Sequence, residues 1–352
     1  MQPFVYVGAP ARVIFGSGTL EQTGAELAAL GASKALVLST PYQVDDAEAL
    51  SDTLGDKSAG VFGGAAMHTP VEVTEQALEV IRASGADCTI ALGGGSTTGL
   101  GKAIAWRTDL PQIVIPTTYA GSEMTPILGE TRDGLKTTFK DARVLPEVVI
   151  YDVDLTLSLP PALSATSGMN AIAHSVEALY AKDRNPIISL ASADGIRALA
   201  QALPLIMRDP GDKEARSDAL YGAFLCGMAL GVISMALHHK LCHVLGGSFD
   251  LPHAETHTIV LPHATAFNEQ AVPDLLAPVA KALGAETAGQ GLFDLAASLG
   301  APLRLADLGM PEDGLGKAAD IAVANPYWNP RDFTRDQVFS VLEDAFHGRR
   351  PS

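Results

Sequence analysis

Residues 86–102 read ADCTIALGGGSTTGLGK. The apolar run to Leu92 predicts a buried strand, the three glycines a loop, and TGLGKAIAWRT the opening of a helix. Consecutive glycines let backbone N–H groups approach a phosphate closely, and a helix N-terminus adds a favourable dipole. The run is neither GxGxxG nor a Walker loop, because Lys102 follows Gly101 without the required spacing and without Ser or Thr beside it. A glycine run after a strand is often only a turn, so its surroundings decide its meaning. Upstream lie ARVIFGSG (strand and turn), GTLEQTGAELAALG (helix), KALVLST (strand), VDDAEALSDTL (helix), AGVFGG (strand) and TPVEVTEQALEVIRASG (helix). Downstream are the strands PQIVIPTTY and VVIYDVDLT. Strands that are apolar throughout and separated by helices predict a parallel sheet covered on both faces.

After Leu155 the pattern changes to successive helical segments, from PALSATSGMNAIAHSVEALYA through SDALYGAFLCGMALGVISMALHHKLCHVL to QVFSVLEDAFHG, with almost no strand signal. We therefore expect residues 1–155 to form an α/β dinucleotide-binding domain with a parallel sheet, and 156–352 an all-α substrate and catalytic domain, with a cleft between them. In the first domain, Gly93, Gly94, Gly95, Ser96 and Thr97 are candidate diphosphate contacts. Thr117, Thr118 and Ser122, in IPTTYAGSEMTP, are candidates to line the same place. The strand KALVLST ends in Ser39–Thr40, where an NAD-selective site ordinarily carries Asp or Glu to grip the ribose 2′-hydroxyl. Use of either NADH or NADPH is the expectation.

The net charge of −16 argues against nucleic acid and anionic membranes as partners, and it requires a locally basic pocket for any anionic substrate. Three cysteines in apolar surroundings (Cys88, Cys226, Cys242), with no basic-then-apolar leader, predict a reducing, cytoplasmic setting without disulfides. The apolar run AFLCGMALGVISMAL is short for a membrane span, and reads as a buried helix leading into the histidines.

Those histidines carry the second signal. In HHKLCHVLGGSFDLPHAETH, residues 238–257, His239 and His243 share a helical face, and GGSFDLP breaks the helix before His253. Upstream, Asn170 and His174 are likewise four apart in SGMNAIAHSVEALYA. One buried helical histidine is ordinarily a hydrogen-bonded core residue. Two such pairs and a loop histidine converge as a group that binds metal, moves protons or holds anions. His257 and His263 continue the cluster without a role assigned by spacing, and His238 should point elsewhere.

At this point the sequence resembles the iron-containing (group III) alcohol dehydrogenase family over nearly its whole length. The likeness rests on FGSG at 15–18, GGGS at 93–96, PTTYAGSE at 116–123, LSLPPALSATSGMNAIAHSVEALYA, and HKLCHVLGG with LPH at 239–253. It implies the dehydroquinate synthase-like plan, an α/β nucleotide domain followed by an all-helical domain, and a homodimer, with VYVGAPARVIF as candidate interface. The family's metal site, one Asp and three His, falls on Asn170, His174, His239 and His253, and a further active-site histidine on His243. Two departures stand out: GGGSxxDxAK reads GGGSTTGLGK, and the metal-site Asp reads Asn170. Both resemble the maleylacetate-reducing branch. Its members reduce a carbon–carbon double bond to give 3-oxoadipate with NADH or NADPH, in bacterial breakdown of aromatic compounds.

Three imidazoles and an amide are a poor cage for Fe²⁺ or Zn²⁺, so no tightly bound metal is expected. An alcohol dehydrogenase needs a Lewis acid for its alkoxide, whereas enone reduction develops an enolate that hydrogen-bond donors and an acid can stabilise. The expected roles follow. His243 donates the proton or stabilises the enolate. His174, His239 and His253, as imidazolium groups, orient the carboxylates of a small dicarboxylate, with Asn170, Lys240 and Lys140 as further substrate contacts. The alternatives are a metal-dependent alcohol or polyol dehydrogenase, which Asn170 disfavours, and a dehydroquinate synthase-like lyase, which would need more basic residues. A non-catalytic nucleotide sensor would leave the histidines unexplained.

Overall fold

The computed structural model describes Tyr6, Gly8 and residues 11–352, Lys136 by its backbone alone. Val5, Val7, Ala9 and Pro10 of the suggested interface lie outside the described residues. The chain divides into two compact units that meet in sequence between Leu159 and Pro160.

The first unit carries β1 (Arg12–Gly16), α1 (Thr23–Ala29), β2 (Ala35–Leu38), α2 (Val44–Leu54), β3 (Ser58–Phe62), α3 (Val71–Ser84), β4 (Cys88–Gly93), α4 (Gly95–Thr108), β5 (Gln112–Pro116), β6 (Ile127–Arg132), β7 (Leu135–Lys140) and β8 (Val148–Asp152). Six strands form one parallel sheet in the order β1-β8-β5-β4-β2-β3. Successive side chains of a strand face opposite ways. Val37, Ile90, Leu92, Ile113 and Ile115 accordingly pack with Leu27 and Leu50 on one side. Leu36, Leu38, Ala91 and Val114 pack with Leu78, Ile81, Leu100 and Ile104 on the other. From β2 the chain steps outward to β3 and returns to place β4 on the opposite side of β2, so the strand order reverses there. Ligands of open α/β sheets bind at such a reversal, beyond the strands' carboxyl ends.

One pair of strands was not foreseen. ILGETR and LKTTFK form the antiparallel hairpin β6–β7, whose alternation is mostly polar and gives little strand signal. Helix α4 also starts earlier than expected, at Gly95.

The second unit is helical: α5 (Pro161–Tyr180), α6 (Pro186–Arg208), α7 (Lys213–Val232), α8 (Leu237–Phe249), α9 (His253–Glu269), α10 (Pro273–Leu283), α11 (Ala288–Ser298), α12 (Gly314–Ala324) and α13 (Arg335–His347). The expected single helix over 217–245 is two, α7 and α8, bent by 92°. The break is made by carboxylates from elsewhere. Asp183 accepts from the Ser234 backbone N–H and hydroxyl, and Glu177 accepts from the backbone N–H groups of Ala236 and His238. Both thereby satisfy donors that a helix start leaves open. Helix α9 begins at His253 rather than after it. Among the described residues no single helix is long and apolar enough to cross a membrane, and the three cysteines are free and buried.

Candidate active site

The sequence-predicted nucleotide residues gather at the carboxyl ends of adjacent strands. Gly93 closes β4 with φ +150°, and a Cβ there would lie 2.5 Å from Thr97 Oγ1, so glycine is required. A Cβ on Gly94 would meet the Thr118 side chain at 3.0 Å. Gly95 and Ser96 open α4, and their N–H groups have no intrahelical acceptor, whereas those of Thr97 and Thr98 donate to the Gly94 carbonyl. The Thr117 N–H donates to the Gly93 carbonyl, fixing the β5 loop to the glycine loop. Ser39 is fully buried at the end of β2, Thr40 follows it half-buried, and the hydroxyls of Ser39 and Thr97 have no partner within the protein.

Two residues that sequence reasoning missed hold this region together. The Gln43 amide donates to Thr117 Oγ1 at 3.0 Å. Lys102, fully buried, points its ammonium at five oxygens: the Ser122, Thr125 and Ile127 carbonyls at 2.5, 2.8 and 2.9 Å, and the Thr125 and Ser122 hydroxyls at 2.9 and 3.3 Å. Burial draws its pKa down to about 7, against the pull of Glu123. Five oxygen partners, three of them carbonyls that can only accept, call for the charged form. Glu123 is itself buried and raised by that burial, and accepts from the Tyr151 hydroxyl at 2.8 Å. The loop that carries Thr117, Thr118 and Ser122 is thus pinned to α4 by one cation. The sequence signal was present, a lysine two turns after a glycine helix start, but Walker spacing alone gave it no meaning.

In the helical unit, α5 presents Asn170, His174 and Glu177 on one face. α8 presents His238, His239, Lys240 and His243, and α9 begins with His253 and carries His257 one turn on. The rings of His174 and His239 are 5.3 Å apart, those of His239 and His257 5.0 Å, and those of His253 and His257 4.3 Å. His243 is exposed and its Nδ1 meets the Tyr327 hydroxyl at 3.0 Å. Lys240 places its ammonium 5.4 Å from the Tyr327 ring centre. Lys140 closes β7 in the other unit and is exposed.

Glu177, unnoticed in the sequence, organises the cluster. Besides its two backbone bonds it accepts from His239 Nδ1 at 2.8 Å and from the Tyr180 hydroxyl at 3.3 Å. Burial pushes its pKa up, but its oxygens meet only donors. His239 therefore carries its proton on Nδ1, and its Nε2 lone pair is bare. His238 Nε2 lies 3.2 Å from the His257 carbonyl, which can only accept, so that nitrogen is the protonated one. Burial drives His174, His239 and His257 well below the ordinary histidine pKa, and His238 to about 3. The expectation that His174 and His239 act as imidazolium groups is thus corrected: both are held neutral by desolvation.

Asn170 Oδ1, His174 Nδ1, His239 Nε2 and both ring nitrogens of His257 are buried without a partner inside the protein. The family-type donor set Asn170, His174, His239 and His253 contains no carboxylate ligand, so a divalent ion would face only neutral donors. The nearest negative charge, Glu177, is already committed to three N–H groups. A second grouping, His238, His239 and His257, has ring nitrogens within 4.8 Å of one another. In it, His238 Nε2 and His239 Nδ1 are engaged in hydrogen bonds, which leaves His238 Nδ1 and His239 Nε2 as the lone-pair nitrogens. Neither set offers a divalent ion an anionic ligand.

Comparison with known proteins places this arrangement. Residues 10–153 match the iron-containing alcohol dehydrogenase model, and 164–346 the C-terminal model of the Fe-containing alcohol dehydrogenase family. The chain belongs to the iron-containing alcohol dehydrogenase family. Within it, the chain is 60% identical over 351 residues to the maleylacetate reductase of Rhizobium sp. (strain MTP-10005), covering 100% of both chains. It is 56% identical to that of Sphingobium indicum, covering 99% of each. A crystal structure of maleylacetate reductase from Agrobacterium tumefaciens superposes with a TM-score of 0.97, at 60% identity and 100% coverage of both. The resemblance drawn from GGGSTTGLGK and Asn170 is borne out, and so is the fold class.

Proposed function

We propose that this chain reduces the carbon–carbon double bond of maleylacetate to 3-oxoadipate at the expense of NADH or NADPH. The observation that carries the reading is Asn170, in place of a carboxylate, within a pocket of neutral buried imidazoles, in a chain so similar to maleylacetate reductases. A metal-dependent dehydrogenase uses a Lewis acid to stabilise the alkoxide, whereas an enolate can be stabilised by hydrogen-bond donors and an acid. Gly93, Gly94, Gly95 and Ser96 would hold the diphosphate of a reduced nicotinamide cofactor, which would supply a hydride. The hydride adds to the alkene carbon remote from the ketone. The electron pair moves into the ketone as an enolate, and a proton returns to the adjacent carbon. We assign delivery of that proton to His243, which is solvent-accessible and hydrogen-bonded to Tyr327. Lys240, on the same helix, supplies positive charge for a carboxylate. No step is routed through a metal.

Two assignments go with this reading. With Ser39–Thr40 and no acidic residue at the end of β2, both cofactors serve, and a preference for NADH above about a thousandfold in kcat/KM would sink that. A cytosolic homodimer is the expected form: among the described residues β1 pairs only with β8, and its other edge is the candidate face for a second copy. Light scattering at working concentration checks it. The central test is oxidation of the reduced cofactor with maleylacetate, set against its reduction with simple alcohols. Turnover of alcohols only, dependent on added metal, would favour the alcohol dehydrogenase alternative.

A further inference from the structure

His257 is 1% exposed, yet neither ring nitrogen has a partner within the protein. A neutral imidazole always carries one N–H, so at least one donor and one acceptor are left idle there. Leaving such groups unmet in the interior costs free energy that a core residue has no reason to spend. The position is also rigid. The His257 carbonyl is held by His238 Nε2–H, whose helix start is in turn fixed by Glu177. The ring lies 4.3 Å from that of His253, 4.8 Å from His238 and 5.0 Å from His239.

Its neighbours make the idle N–H important. Glu177 fixes His239 with a bare Nε2, and Asn170 Oδ1, on the α5 face that carries His174, is buried and unpaired. Both atoms are acceptors, and an anionic oxygen gains nothing from either; the donors left to it are the Asn170 Nδ2–H₂ group and the imidazole N–H groups. His257 offers a donor in either tautomer and without taking up a proton.

We propose that His257 is a substrate-contacting residue whose ring N–H donates to an anionic oxygen, carboxylate or enolate, of a small dicarboxylate. The inference rests on the maleylacetate reading and assigns one donor of that site. Spacing alone gave this residue no task.

The test compares wild type, His257→Leu, which removes the donor, and His257→Asn, which restores an N–H. Expected is a fall of about tenfold or more in kcat/KM for maleylacetate in the Leu variant, with KM for NADH unchanged and partial recovery in Asn. Leu within about twofold of wild type, or a parallel rise in both KM values, overturns it. His257→Met replaces Leu should that variant not fold. Thermal shift with 3-oxoadipate gives an independent arm. If wild type does not turn over maleylacetate, the substrate reading fails. A wild-type shift lost in Leu and kept in Asn still supports His257 as an anion donor, and no shift, or an equal shift in both variants, refutes it.

Discussion

Replacing Lys102 by Met keeps the length of the side chain and removes its charge. Three backbone carbonyls (Ser122, Thr125, Ile127) lose their donor inside the protein, and Glu123 loses the cation beside it. Breaking a buried charge network from one side costs about 3–5 kcal/mol. With a urea m-value of ~2 kcal/mol/M, the midpoint should fall by about 2 M. Two units need not unfold together, but each contains one tryptophan: Trp106 on α4 and Trp328 in the helical unit. In a Trp328→Phe background, Trp106 fluorescence reports only the unit that holds Lys102. We expect that transition to move while helical circular dichroism of the other unit persists, and KM for NADH to rise as the Thr117–Ser122 loop is released. A loss below about 1 kcal/mol with unchanged cofactor KM would show that the five oxygens do not depend on the ammonium, and the reasoning would be wrong.

Other expectations are shorter. Glu177→Gln should cost about 3 kcal/mol and reduce kcat/KM with maleylacetate, because one of two oxygens that meet only donors becomes an NH₂ group; wild-type kinetics in this variant would refute the assignment. Asn170→Asp should gain stoichiometric Zn²⁺ or Fe²⁺ by elemental analysis after dialysis, where the wild type retains none; equal metal in both contradicts the donor-set argument. The enzyme should be acid-labile. His263 is held at about 4 and His238 at about 3, in each case chiefly by burial, whereas an unfolded histidine titrates near 6.5. Their stabilising contribution is complete above about 6.5 and is lost as pH falls, by roughly 4 kcal/mol for the pair on reaching pH 5. A melting temperature that stays level from pH 6.5 to 5 would count against it.

The parts of the fold that follow from local pattern could be read from the chain. The apolar strands KALVLST and PQIVIPTTY and the glycine stop after Ser84 needed no tertiary knowledge. What escaped depends on distant partners. The run GAFLCGMALGVISMAL has no internal reason to bend; Asp183 and Glu177, more than fifty residues earlier, bend it. LKTTFK carries too little apolar alternation to announce a strand, and GLGKAADIAVA has too much glycine to announce α12. In the site, Asn170 and His174 were visible as a pair, and Glu177 one turn further on the same face completes the stripe. Its meaning came only from the backbone it caps. Lys102 was dismissed for lacking Walker spacing, because a sequence does not show which carbonyls a loop will turn inward.

The same carboxylate that orients His239 also holds the amides of Ala236 and His238. Histidine orientation and the first turn of α8 are therefore one cooperative object. The site cannot relax quietly while the helix stays shut. Those two amide protons become built-in reporters: their exchange with deuterated solvent measures how often the catalytic arrangement comes apart. A ligand that tightens the pocket should slow both together, far from any atom it touches.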